Sequence, residues 1–135
     1  MSVDLLKQSK ARAEEWLASP IDSESKKQIR ALLEKADHHL IDSFYKSLEF
    51  GTGGLRGIMG VGSNCMNQYT IGFATQGLAN YLKKSFPHQA VQVAIAYDCR
   101  NNSKYFAEVT ANVFSSNGII VNLFPALRQI GRAHV

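Results

Sequence analysis

Six glycines fall within twelve consecutive positions, residues 51–62, which read GTGGLRGIMGVG. Glycine at this density rules out a helix and weakens any strand, so the segment is predicted to be a loop that bends sharply or approaches a ligand closely. Its glycines let backbone amides reach an anion, its threonine adds a hydroxyl, and its arginine adds a planar, permanently charged fork of donors. This chemistry fits a phosphate cradle, although a purely structural turn is an equally good interpretation. The candidate phosphate-binding residues of the segment are Thr52, Gly53, Gly54, Arg56 and Gly57.

The segment matches neither of the common nucleotide-binding motifs. A Walker P-loop is excluded because no Gly-Lys-Ser/Thr follows and no clear strand precedes the glycines. The dinucleotide fingerprint Gly-x-Gly-x-x-Gly is excluded because Gly57 stands three residues beyond Gly54, which is the wrong spacing. Any phosphate recognition here must therefore be of another kind.

A second polar loop, residues 98–103, reads DCRNNS and lies between an apolar strand and a helix. Ligands of open α/β sheets gather at the carboxyl ends of strands, where the free N–H groups of the following helix attract anions. Arg100 could add a bidentate contact to a phosphate bound there. The alternative is that Asp98 and Asn102 only cap the helix while Arg100 is solvated.

The residues before the glycine-rich loop are predicted to form helices that position it. Apolar residues recur at helical spacing through the first 48 residues, with a break at Ser19-Pro20. Asp22 is predicted to cap the second helix, and a third helix is predicted to begin near Asp37 and to extend to Leu48. The sequence therefore predicts an N-terminal helical extension over residues 1–48.

The second half of the chain follows a strand–helix–strand pattern. Asn67 is predicted to cap a helix that ends near Phe86. Residues 91–97 are mostly apolar on both sets of alternating positions, which predicts a strand covered on both faces. A helix stopped by Asn117-Gly118 and an apolar strand over residues 119–124 complete a βαβ unit, whose strands should be parallel. The fold class is therefore α/β.

The bulk composition excludes several classes of protein. With 45% apolar and 19% charged residues, the 135-residue chain is globular, and no apolar run is long enough for a membrane span. The N-terminus lacks the pattern of a secretory signal, so a cytoplasmic location is predicted. Net charge is +4, but the basic residues are dispersed and no nucleic-acid reader motif accompanies them. Cys65 and Cys99 lack metal-ligand spacing and are predicted to be free thiols.

Residues 48–57, LEFGTGGLRG, closely resemble the opening signature of the α-D-phosphohexomutases, in particular the phosphoglucomutase/phosphopentomutase type. The following Gly62-Ser63-Asn64 and the loop Tyr97 to Ser103 resemble later parts of the same pattern. This resemblance implies an incomplete first phosphohexomutase domain over residues 49–128, with a mixed sheet built on the βαβ unit. It also implies that Arg56 bears on the transferring phosphoryl group and that Asp98 and Arg100 line the same region.

Such enzymes move a phosphoryl group between the 1-position and the terminal hydroxyl of a hexose or pentose phosphate. The resemblance implies a phosphoserine donor, Mg²⁺ held by aspartates, and a bisphosphorylated sugar as intermediate. Neither the family's Thr-x-Ser-His-Asn-Pro loop nor its Asp-x-Asp-x-Asp-Arg metal loop occurs in these residues. The chain is therefore expected to be an inactive fragment of a sugar-phosphate mutase; the alternative is a non-catalytic phosphate-binding module. The resemblance leaves glucose, mannose and pentose phosphates open as substrates of the parent enzyme.

The last residues depart from the family pattern. Residues 130–135, IGRAHV, match what one reading frame of a widely used short-read sequencing adapter encodes. The hypothesis is that residues 129–135 are a non-native tail on a truncated gene product. The competing interpretation is a genuine short C-terminal tail.

Overall fold

A computed structural model describes residues 2–35 and 37–124 of the chain. The chain divides into two compact units, Met1–Thr70 and Ile71–Val135. The predicted tail at residues 129–135 and the predicted domain end at residue 128 lie outside the described residues. The helices are α1 Ser2–Ala18, α2 Ser23–Glu34, α3 Asp37–Phe44, α4 Gln68–Ser85 and α5 Ser103–Ser116, and the strands are β1 Phe50–Gly51, β2 Gly54–Leu55, β3 Gln92–Ile95 and β4 Ile120–Leu123.

The first three helices share one buried apolar cluster. Trp16 of α1 packs edge-on against Phe44 of α3, with ring centroids 5.7 Å apart. The amphipathic faces predicted from the sequence thus cover one another, which confirms the three helices. However, α3 ends at Phe44 rather than near Leu48 as predicted. The fully buried members of the cluster are Ala13, Ile29, Leu40 and Phe44.

Asp22 caps α2 as predicted and also ties this helix to the start of α4. Its carboxylate accepts hydrogen bonds from the Ser25 amide at 3.0 Å, the Ser25 hydroxyl at 2.6 Å and the Tyr69 hydroxyl at 2.5 Å. These donors, with the Ser25 hydroxyl first, lower the pKa of Asp22 to about 2. The Tyr69 ring also meets Trp16 edge-on, with centroids 5.8 Å apart.

The second unit contains the predicted βαβ arrangement. Strands β3 and β4 pair in parallel, with Val93 opposite Val121, as the sequence predicts. Helices α4 and α5 pack against one face of this pair through a buried cluster of Ala79, Phe114 and Ile119. The mixed sheet is not formed among the described residues, because β1 and β2 make a separate two-stranded antiparallel sheet.

The prediction that residues 91–97 are covered on both faces is wrong for the described part of the chain. Val93 and Ile95 pack against the helices, whereas Gln92 and Ala94 are exposed. Among the described residues, no element covers the face of β3 that carries Gln92 and Ala94. The alternation of residue size therefore marks an inner and an outer face of this strand.

Asn117 joins the end of α5 to the middle of α4. It is the C-cap of α5, and Gly118 follows with φ of 75°, so the predicted Asn-Gly stop is confirmed. The Asn117 carboxamide donates to Gln76 Oε1 at 2.8 Å and accepts from Gln76 Nε2 at 3.0 Å. Lys83 donates to the same Asn117 oxygen at 3.0 Å.

No helix among the described residues is both long and apolar enough to cross a lipid bilayer.

Candidate phosphate-binding site

The glycine-rich segment forms a tight hairpin. Strands β1 and β2 pair antiparallel, with Phe50 opposite Leu55 and Gly51 opposite Gly54, so Thr52 and Gly53 form the turn. The sharp bend that the sequence predicts is this turn, but the two short strands that flank it were not predicted. Each strand has only two residues, which is too short for any alternation of apolar and polar side chains to reveal it.

Arg56 lies immediately after this hairpin and folds back over its turn. A methyl group built on Gly53 would lie 2.8 Å from Nη2 of Arg56, which shows how closely the guanidinium covers the Gly53 backbone. The Arg56 side chain is exposed and forms no hydrogen bond or ion pair with the described residues. A permanent cation with unused donors beside a glycine turn is an arrangement that suits a phosphate.

The loop that follows Arg56 is fastened to the end of α3. Asn64 donates its backbone N–H to the Ser43 carbonyl at 3.0 Å and its carboxamide to the Asp42 carbonyl at 2.9 Å. The Ser63 hydroxyl donates to the Lys46 carbonyl at 2.7 Å. These bonds satisfy carbonyls at and beyond the C-terminal end of α3, where the loop replaces the next helical turn.

Gly62 makes the closest contact of this junction. Its φ is +120°, a backbone conformation that favours glycine, and a methyl group there would lie 2.3 Å from the Ser43 carbonyl oxygen. Asn67 then closes the loop by donating its carboxamide to the Gly60 and Gly62 carbonyls at 2.9 and 3.0 Å. The oxygen of the same carboxamide accepts from the Thr70 amide at 3.0 Å, so Asn67 caps α4 as predicted.

A groove of about 630 Å³ lies between α3 and the segment around Arg56. We call it the α3 groove. Its walls are contributed by His39, Asp42, Tyr45, Lys46, Arg56 and Asn64, together with apolar side chains. Gly57 also lines it, whereas Thr52, Gly53 and Gly54 lie in the hairpin itself. Cys65 borders the groove as a buried free thiol, and this burial raises its pKa.

The second candidate loop, in the other compact unit, is already paired within itself. Arg100 Nε donates to Asp98 at 2.7 Å, and the Arg100 amide donates to the same carboxylate at 3.0 Å. These contacts, with the backbone bond first, lower the pKa of Asp98. The Asp98 amide donates to the Ser103 hydroxyl at 3.1 Å, which closes the turn.

The helix-capping alternative for this loop is only partly correct. Asn102 occupies the N-cap position of α5 with φ of 64°, but its side chain makes no capping hydrogen bond. The Asp98 carboxylate pairs with Arg100 and also contacts Ser103, the first residue of α5. Arg100 nevertheless keeps 76% of its side chain exposed, so part of its guanidinium faces solvent.

The structure therefore groups the predicted site residues in two sets. Thr52, Gly53, Gly54, Arg56 and Gly57 come together in and beside the hairpin, and Asp98 and Arg100 come together in the other unit. Sequence reasoning missed Lys46, whose only signal is that it precedes the glycine-rich segment, and it noted Asn64 only as part of the family pattern. Within residues 2–35 and 37–124, no group of three or more His, Cys, Asp or Glu is placed to hold a metal ion.

The parallel βαβ unit of β3, α5 and β4, together with the separate glycine-rich hairpin, defines an α/β protein. The family model described as "Phosphoglucomutase/phosphomannomutase, alpha/beta/alpha domain I" matches residues 47–130. The chain belongs to this phosphoglucomutase/phosphomannomutase family, which confirms the resemblance seen in the glycine-rich signature.

Curated relatives agree with this assignment. The chain is 38% identical to a phosphopentomutase of Mus musculus over 88% of its length, and 35% identical to a phosphoribomutase of Saccharomyces cerevisiae over 79%. It is 33% identical over 71% of its length to a phosphoglucomutase of Staphylococcus epidermidis. The chain spans only 20%, 17% and 20% of these three proteins, respectively. No solved structure gives a significant match.

Proposed function

We propose that the chain is the first-domain portion of a sugar-phosphate mutase, an intramolecular phosphotransferase acting on hexose or pentose phosphates. The observation that carries the proposal is the unpaired, exposed Arg56 held over the glycine turn. The names of the relatives, which cover pentose, ribose and glucose substrates, support the reaction class and leave the sugar open.

In this proposal Arg56 neutralises charge on the transferring phosphoryl group. A phosphoryl group in transfer spreads negative charge over three oxygens, so fixed cations and N–H donors beside it lower the barrier. Gly53 and Gly54 keep the turn free of side chains that would keep the phosphate away. Because Arg56 has no carboxylate partner among the described residues, it needs no rearrangement before it binds the anion.

Asp98 and Arg100 have a different part in the proposal. Asp98 already holds Arg100 through two hydrogen bonds, so the pair presents a fixed guanidinium edge with its charge partly compensated. This arrangement suits orientation of a phosphate better than strong attraction to it. The proposed whole mutase would also use a phosphoserine, Mg²⁺ and a bisphosphorylated intermediate. The roles proposed for the described residues are limited to binding and orienting phosphate.

The test is turnover of a longer chain of this protein that carries the serine loop of the family. Arg56→Ala is expected to lower the conversion of glucose 1-phosphate, or of ribose 1-phosphate, by roughly two to three orders of magnitude, the loss seen when one charge-stabilising donor is removed. Arg30→Ala is the matched control, because Arg30 is exposed on α2 and does not line the α3 groove. Near-normal turnover of the Arg56 variant would remove this residue from the site.

A further inference from the structure

The α3 groove carries more positive charge than the glycine-rich signature alone supplies. Lys46 follows α3 and lines the same groove as Arg56. Its ammonium lies 5.4 Å from the centroid of the Tyr45 ring, and neither Lys46 nor Arg56 forms an ion pair within the described part of the chain. One carboxylate, that of Asp42, faces the groove against these two cations.

The two cations are attached to segments that are fixed to each other. The Lys46 carbonyl accepts from the Ser63 hydroxyl at 2.7 Å, and the Leu48 amide donates to the Ser63 carbonyl at 2.9 Å. Ser63, in the loop that begins after Arg56, thus binds the backbone of both Lys46 and Leu48. A backbone that is already fixed before the ligand arrives lowers the conformational entropy lost on binding.

The size of the groove also indicates its ligand. At about 630 Å³ it falls in the range of small-molecule sites and is larger than a phosphate ion alone requires. Polar side chains of His39, Tyr45 and Asn64 lie on its walls beside apolar ones, a mixture that suits the hydroxyls and the ring faces of a monosaccharide.

We propose that the α3 groove binds a phosphorylated monosaccharide and that Lys46 is a second phosphate-binding residue beside Arg56. This inference rests on the proposed function, since Arg56 belongs to the proposed phosphate cradle. The inference goes beyond the proposed function because it assigns part of the binding site to Lys46, in the segment that follows α3.

The experiment is calorimetric titration of the 135-residue chain with glucose 1-phosphate at low ionic strength, with neutral glucose as the comparison ligand. Lys46→Gln and Arg56→Gln are each expected to weaken binding at least about fivefold, the factor that corresponds to the attraction of two unit charges 4 Å apart in water. Lys46→Arg should retain binding because it keeps the charge. Lys10→Gln, an exposed change of equal charge on α1, should change affinity by less than about twofold because the groove does not include it.

Four results would overturn the inference. If Lys46→Gln binds as tightly as the wild type while Arg56→Gln is weakened, the role of Lys46 is wrong and the Arg56 cradle stands. If Lys10→Gln is weakened as much as Lys46→Gln, the effect is general charge attraction. If the wild-type chain binds glucose as tightly as glucose 1-phosphate, the groove does not recognise the phosphate group. If it binds neither ligand at a ligand concentration of about 10 mM, a site of millimolar affinity is absent. The mutase proposal is decided separately by turnover of the Arg56→Ala variant.

Discussion

Gly62→Ala tests the junction between α3 and the loop after Arg56. A methyl group at this position would lie 2.3 Å from the Ser43 carbonyl oxygen and 2.9 Å from the Ser43 Cβ. Both atoms belong to the end of α3 and cannot move without shifting the helix. The φ of +120° adds strain for any residue with a side chain.

The expected loss follows from these two effects. Backbone strain of this kind costs about 1–3 kcal/mol, and overpacking against fixed atoms costs about 1–3 kcal/mol more. Gly62→Ala should therefore lower the free energy of unfolding by roughly 2–6 kcal/mol, a large share of the stability of a typical domain. Gly54→Ala is the matched control in the same unit, because Gly54 has φ of +107° but no atom within 4 Å of an added methyl group.

Urea unfolding followed by Trp16 fluorescence measures this difference. Trp16 is the only tryptophan and lies in the same compact unit as both glycines, so its signal reports on that unit. The difference between the two variants isolates the contact with Ser43 from the strain of positive φ. If Gly62→Ala unfolds at the same urea concentration as Gly54→Ala, or at a higher one, the close approach of Gly62 to α3 is refuted.

Two further predictions concern the N-terminal helices. Asp22→Ala should destabilise α2 by about 0.5–2 kcal/mol through loss of the cap, whereas Asp22→Asn should retain the cap. Because the pKa of Asp22 in the folded state is lowered to about 2 from 3.8, the contribution of its carboxylate to stability is present above pH 4 and is lost as pH falls toward 2. Urea titrations across that pH window should show a smaller pH dependence of stability for Asp22→Asn than for the wild type. Ser9→Ala should leave stability unchanged or raise it by about 1 kcal/mol, because the Ser9 hydroxyl is fully buried with no hydrogen-bond partner in the described structure. Thermal melts would check this, and a clear loss of stability in Ser9→Ala would show that the hydroxyl has a partner.

Local signals in the sequence were sufficient for the helices and their ends. Asp22 and Asn67 are followed by the amides that they cap, and Asn117-Gly118 stops α5 through backbone geometry that glycine favours. The parallel pairing of β3 with β4 followed from the strand–helix–strand order, because such crossovers join parallel strands. The caps and the helix stop depend on residues close together in the chain, whereas the strand pairing depends on the order of the elements.

The features that sequence reasoning missed depend on turn geometry or on packing between elements, neither of which leaves a periodic pattern in the sequence. The β1–β2 hairpin is too short for a periodic signal, and the open face of β3 depends on which layers pack against it. Arg100 and Asp98 are only two residues apart, but their ion pair depends on the turn that brings the two side chains together. Lys46 lines the α3 groove beside a loop whose Ser63 and Asn64 bind the carbonyls of Lys46 and Asp42, 17 and 22 residues away in sequence.

The Asn117 link between α5 and α4 has a consequence for the chemical ageing of the protein. Asparagine before glycine is prone to deamidation, because the glycine amide is free to attack the side-chain carbonyl. Here the carboxamide is restrained by Gln76 and Lys83, and attack would require it to leave these partners. Conversion to aspartate would replace the donating Nδ2 with an acceptor and break its bonds to Gln76 Oε1 and the Val113 carbonyl. A folded sample should therefore keep Asn117 intact, whereas unfolding would expose it to a change that weakens the α4–α5 contact on refolding.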